Sequence, residues 1–294
     1  VSGVMAVAAR FMGRIGRLFV MLYRRNLKFR LGFTIILILL ILGFLSFFSP
    51  TNTRTWYVVP RDRPPSLEYP FGTSSMGRDL FWELCASIRN SLTIAFVTAM
   101  IASHVGLFLG FMAGIRGGII DRILMFLTDT FIIIPGLPLL MVVTTVLKRY
   151  LTIPFLGMLI SIVSWPWPSR QVRSMVLSLR ERTFIHTARL SGMSTSKVIL
   201  RELMPYVLGW HLVNFTNTIL FSIGTESGLA ILGLSILDDN TLGVMIYWAL
   251  NWGYALFRGI WWWLATPVVT LVLTFVSFYL VSIGINEYVH RLVR

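Results

Sequence analysis

The sequence predicts an all-α, polytopic membrane protein with six transmembrane helices, and three observations carry that expectation. Of 294 residues, 56% are hydrophobic and only 13% charged, about half the roughly 25% typical of soluble globular chains. Twelve acidic and 26 basic residues are too few to cover a soluble exterior, so lipid must solvate much of the surface. Six apolar stretches, at about 31–49, 91–114, 123–147, 151–168, 206–235 and 262–285, approach or exceed the roughly 20 residues that cross about 30 Å of hydrocarbon. Finally, 18 of the 26 basic residues fall in alternate loops, which sets both termini on the cytoplasmic side and requires an even number of spans.

Residues 1–30 form a basic cytoplasmic segment, with Arg10, Arg14, Arg17, Arg24, Arg25, Lys28 and Arg30 and no acid. The apolar run that follows is too long for a signal h-region and precedes no small-residue cleavage site, so it is a retained first helix at 31–49. The chain begins at Val1, and Met5 is another candidate start. Residues 50–90 carry Pro60, Pro64, Pro65 and Pro70, which rules out one continuous helix in this extracytoplasmic segment. The core membrane domain covers 91–285. Gly106, Gly110, Pro135, Pro138 and Pro154 inside it are compatible with spanning, because neighbouring helices re-satisfy freed backbone groups. Pro166 and Pro168 end the fourth span and open a cytoplasmic loop at 169–204. Between spans five and six, Trp248, Trp252, Trp261, Trp262 and Trp263 suggest an interfacial aromatic belt. A cytoplasmic tail at 286–294 closes the chain.

A net charge of +14 would suggest nucleic acid in a soluble protein; concentrated on one side of a bilayer, it sets orientation instead. Cys85 is the single cysteine, which excludes an intrachain disulfide and a cysteine metal cage. No P-loop, His-Glu-x-x-His or Gly-x-Ser-x-Gly pattern occurs, so the chain carries no recognisable ATP-binding, zinc-protease or nucleophile-elbow site.

The 169–204 loop is the most informative stretch. A short helix over Phe184, Ile185 and Ala188, with Arg182 and Arg189 towards another face, stops at Gly192, which readily takes the left-handed conformation of a helix C-cap. Ser194 offers the N-cap of a second short helix that leads to Pro205. On composition alone, this amphipathic helix–turn–helix is also compatible with a basic loop lying on anionic lipid. Asp129 and Glu226 lie inside expected spans, where an unpaired central charge costs at least about 2.5–3.5 kcal/mol. They are candidates for the pathway or a gate, or for structural pairs, Asp129 with Arg122 or with the loop. His104 and His211 favour helix-packing hydrogen bonds over metal ligation.

The spacing His186-Thr187-Ala188, Gly192, Met204-Pro205 resembles the Glu-Ala-Ala motif of binding-protein-dependent ABC transporter permeases, in which Leu-Pro follows thirteen residues after the glycine. Gly77-Arg78-Asp79, Arg89-Asn90-Ser91-Leu92, Gly117-Gly118-x-x-Asp121-Arg122, Asp129 with Pro135, Trp165-Pro166 and Glu226 to Gly233 are similar, in order, to the C-type subunits of the dipeptide/oligopeptide subfamily. The Glu-Ala-Ala itself has become His-Thr-Ala, so any salt bridge by its acid is lost. The resemblance implies a type I ABC importer permease fold and no enzymatic activity or cofactor in this chain, with ATP and Mg bound by partners. Those partners would be a homologous B-type permease, two P-loop ATPases and an extracytoplasmic solute-binding protein, with no nucleic acid. Arg182, His186, Thr187, Ala188, Gly192 and Pro205 would dock on the ATPase, in a prokaryotic cell membrane. Oligopeptides are the favoured solute, with oligosaccharides and then nickel chelates as alternatives. A secondary transporter, a channel or a membrane-embedded enzyme are the rival classes.

Overall fold

The computed structural model describes residues 20–252, 255 and 257–293, the last five as backbone only. Arg10, Arg14 and Arg17 of the basic segment, and the tail residue Arg294, lie outside the described residues, as does the side chain of Arg291.

All regular structure among the described residues is helical. Helix α1 (Leu27–Leu45) is capped by Asn26, whose side chain accepts from the Phe29 N–H. Helix α2 (Leu80–Arg116) has 37 residues and runs about 55 Å at 1.5 Å per residue, well beyond a hydrocarbon core. Gly117 and Gly118, both at positive φ, turn the chain into α3 (Gly118–Ile133). That helix meets α4 (Gly136–Val146) at an 83° bend centred on Pro135. Helices α5 (Ile153–Ser164) and α6 (Pro166–Arg180) follow almost without a break. After α7 (Thr183–Leu190), a single turn at Thr195–Lys197 runs through a π-helix at Val198–Leu203 into α8 (Met204–Ile231). The last two helices are α9 (Leu242–Asn251) and α10 (Trp261–Val293).

Helix α2 forms the axis of the molecule, packed against α1, α5, α6 and α8. Where α1 meets α10, backbones approach across glycine: a Cβ at Gly32 would stand 2.5 Å from the Ser277 carbonyl oxygen, and one at Gly284 2.7 Å from Phe29 Cβ. Small residues at membrane helix contacts allow this closeness, and dispersion then supplies the attraction. The α2–α8 seam uses hydroxyls instead. Ser222 donates to Thr98 (2.9 Å) and Asn214 Nδ2 donates to Ser103 (3.2 Å).

Among the described residues, three helices, Leu27–Phe48, Leu80–Arg116 and Trp261–Tyr288, are long and apolar enough to cross a membrane, or four if the bent α3–α4 pair is one span. This corrects the expectation of six. The stretch expected at 151–168 breaks into the twelve-residue α5 and the first turn of α6. The stretch expected at 206–235 is the 28-residue α8, long enough but diluted by His211, Asn214, Asn217 and Glu226. Boundaries shift as well. Helix α2 starts inside the segment expected at 50–90, and α10 continues to Val293 through the expected tail. The tryptophans are also not one belt: Trp263 is buried, and Trp262 donates to the Thr73 carbonyl at 3.2 Å.

Candidate functional site

The α7 segment is built around one cap. Gly192 has φ +75°; its N–H donates to the Arg189 carbonyl at 3.0 Å, and the Met193 N–H to the Ala188 carbonyl at 3.1 Å. That bond pair is the Schellman motif, which ends a helix and satisfies its last carbonyls. No atom lies within 4 Å of a Cβ built on Gly192, so its φ, and not space, requires glycine. Ser194 does occupy the following N-cap position, but its side chain makes no capping bond.

Two faces of α7 differ sharply. Ile185 and Ala188 are buried, Ile185 within a cluster of Phe111, Val172, Val176, Val198, Leu203 and Val207. The Phe184 ring lies 5.4 Å from Tyr206. His186, Thr187 and Arg182 are exposed, and Leu190 is 90% exposed. Arg182 is the extended N-cap residue of α7, and Pro205 sits exposed in the first turn of α8. The six expected positions thus divide: Ala188 anchors the helix, Gly192 shapes it, and the others present their side chains outward.

The seam that carries this segment was not foreseen. Gly106, Gly110 and Gly114 recur every four residues on α2, a GxxxGxxxG run. A Cβ on each would stand 2.6 Å from Pro168 Cγ, 2.6 Å from the Ser169 carbonyl oxygen and 2.7 Å from Val176 Cγ1, respectively. The spacing was visible in the sequence as a helix-packing signature, although it names no partner. Two acids then tie α3 to α6. Arg173 donates to both carboxylate oxygens of Asp121 through Nε and Nη2 (2.5 and 2.6 Å), and Arg170 lies 3.5 Å from Asp129, whose side chain is 51% exposed. Asp129 therefore pairs with the loop and not with Arg122. Arg180 Nη1 donates to the Gly114 carbonyl at 3.1 Å.

At the other end of α2, Gly77-Arg78-Asp79 forms a polar knot. Gly77 (φ +69°) leaves no room for a Cβ, which would stand 2.8 Å from Tyr57 Cα. Asp79 caps α2 by accepting from the Phe81 N–H at 2.9 Å; burial raises its carboxyl above the ordinary value, against the lowering by that bond. Buried Arg78 donates to Glu83 (2.9 Å), Asn240 (3.2 Å) and the Arg54 carbonyl (2.8 Å). Asn240 donates in turn to Thr53, and its carbonyl accepts from Asn90 at 2.7 Å.

Glu226 is 1% exposed. Its Oε1 accepts from Ser235 (3.0 Å) and Thr241 (2.7 Å), so it pins α8 to the turn before α9. The two histidines are not isolated: their rings meet edge-on at 5.0 Å, and His104 Nδ1 lies 2.9 Å from the Met100 carbonyl. Among the described residues, no group of three or more His, Cys, Asp or Glu is placed to hold a metal ion.

A family model described as "Binding-protein-dependent transport system inner membrane component" matches residues 106–294. The chain is 32% identical over 185 residues to the oligopeptide transport system permease protein OppC of Mycobacterium bovis, across 63% of this chain and 64% of that protein. It therefore spans somewhat less than two thirds of the length of that relative. The dipeptide transport system permease protein DppC of Bacillus subtilis is 30% identical over 90% of this chain and 82% of its own. Among solved structures, an inward-facing conformation of the MetNI methionine ABC transporter aligns with a TM-score of 0.56 at 20% identity, covering 72% of this chain and 97% of that one. That likeness concerns the fold.

Proposed function

Since the chain belongs to the family of binding-protein-dependent transport system inner membrane components, we propose that it is one permease subunit of an ATP-driven importer. In this reading it forms half of a translocation pathway with a homologous B-type permease. Two P-loop ATPases bind ATP and Mg on the cytoplasmic side, and this chain itself is non-catalytic. A solute-binding protein meets the 50–79 and 232–261 segments on the other side. Both termini lie in the cytoplasm, as the distribution of Lys and Arg favours. The α5–α6 stretch and helix α8 also cross the bilayer in this arrangement, which keeps the number of crossings even, with Asn214 and Ser222 of α8 sheltered against α2 and Asn217 against α10.

One observation carries the coupling role: a helix whose outer face is free and whose inner face is bolted to the membrane helices. His186, Thr187 and Leu190 face outward, while Ala188 is buried and Ile185 enters the cluster shared by α2, α6 and α8. A push on α7 therefore moves α6 and the glycine-seamed α2 rather than a slack loop. The degraded Glu-Ala-Ala leaves docking to shape and apolar contact, for which the exposed Leu190 is suited.

Oligopeptides are the proposed solute, in keeping with the names of the relatives above; oligosaccharides are the alternative. Co-expression with the neighbouring subunits and purification in mild detergent tests the assembly. Retention of two P-loop ATPases and ATP-dependent uptake of labelled peptide support the reading. Uptake without ATPases would point instead to a secondary transporter or channel.

A further inference from the structure

Beside the α7 segment lies a cleft of about 960 Å3 that the docking face does not use. One wall is the last third of α2, which presents Leu107, Phe108, Met112 and Ile115 at successive turns, and the other includes Leu200 and Met204. Phe108 and Leu200 are 64% and 65% exposed, so the walls are open apolar surface. From His104 at one end of the α2 wall to Arg116 at the other is roughly 18 Å at 1.5 Å per residue. Arg116 and Arg189 both line the cleft and are exposed, and neither forms an ion pair with any acid among the described residues.

We propose that this cleft holds one acyl chain of an anionic phospholipid, with its headgroup between Arg116 and Arg189. Sign and shape together select this occupant. The chain's own basic leader, with Arg10, Arg14 and Arg17 and no acid, carries the wrong charge. An acidic protein segment would satisfy the two guanidinium groups but leave a long wall of Leu, Phe and Met against polar groups. A phospholipid supplies both chemistries in one molecule, and basic pockets between membrane helices on the cytoplasmic side are where such headgroups bind. A chain seated there touches α2 on one side and the π-helix leading into α8 on the other, and so stiffens the joint through which α7 acts. The assignment rests on placing α7 at the cytoplasmic face, as proposed above.

Native mass spectrometry of the purified full-length chain, with added phosphatidylglycerol or phosphatidylcholine, tests this. The expected result is preferential retention of one phosphatidylglycerol. In the double variant Arg116→Gln/Arg189→Gln its affinity falls roughly thirtyfold, the equivalent of about 1 kcal/mol for each surface cation. Leu107→Trp, which fills the cleft and keeps both arginines, abolishes retention, whereas Lys148→Gln/Arg149→Gln leaves it unchanged. Equal retention of the two lipids, or indifference to the arginine and tryptophan variants alike, would overturn the proposal. So would cross-linking of Phe108→Cys to a co-expressed subunit with no lipid retained. Sidedness is separately testable: labelling of Thr187→Cys by an impermeant reagent from outside the cell would overturn the cytoplasmic placement and leave the lipid measurement standing.

Discussion

The two ends of α2 are held by opposite chemistry. Its N-terminal end is fixed by directional polar bonds: Asp79 caps it, and Arg78 joins Glu83, Asn240 and the Arg54 carbonyl in a buried knot. Its C-terminal end owes its place to closeness, with three glycines against α6 and an apolar cluster that swallows Ile185 of α7. A hydrogen-bonded knot fixes one geometry and fails when one member is removed. A packed seam transmits displacement, because interiors are dense and resist compression. In the proposed transporter, the Asp79 end of α2 would thus serve as a fixed point and the Arg116 end as a lever.

The largest effect is expected at the knot. Arg78→Ala leaves Glu83 buried without its cation, a loss of about 3–5 kcal/mol, read as a collapse in monodisperse yield and a lower Tm in detergent. Arg78→Met combined with Glu83→Leu should recover most of it; no recovery would mean that the bonds to Asn240 and Arg54, and not the ion pair, hold the end together. At the seam, Gly110→Ala places a methyl 2.6 Å from a backbone oxygen, an overpacking cost of about 1–3 kcal/mol. It should also reduce the uptake obtained per ATP hydrolysed. Gly136→Ala is the control, since its Cβ would meet nothing nearer than 3.5 Å. Gly192→Ala meets no atom and carries only the left-handed penalty, about 1–2 kcal/mol, which Gly192→Asn should partly relieve. Thermal melts of these four variants separate clash from strain. The smallest effect is expected for Glu226→Gln, which keeps an acceptor for Ser235 and Thr241 and should change stability by less than about 1 kcal/mol. Lost uptake at unchanged Tm would make Glu226 a gate residue.

Much of this was legible in the sequence. Gly192 announced a helix stop, and the Schellman bonds are found there. The Gly-Arg-Asp run was visible as a motif, but its purpose was not, because Asn240 lies 162 residues beyond Arg78 and sequence order says nothing about that meeting. The span count went wrong where hydropathy and burial part company. Helix α8 is too polar for a lipid-facing helix because Asn214, Thr218 and Ser222 face α2, while α5 ends at the proline pair that opens α6. Loop charge supplied a preference for an even number and could not say which apolar stretches were complete. The tryptophans expected in one aromatic belt divide for a similar reason, since Trp263 fills the core with Met76, Leu80 and Leu84 while Trp252 and Trp261 are exposed.

The central claim is that the outward face of α7 is the surface on which an ATPase docks. Cysteine cross-linking from Thr187→Cys or Leu190→Cys in the assembled transporter tests it directly, and Cys85, buried and the only native cysteine, leaves the background silent. The account predicts a cross-link to a P-loop ATPase subunit whose yield changes with ATP. Efficient cross-linking to the extracytoplasmic binding protein, or none to any ATPase in a complex that still transports, would contradict it.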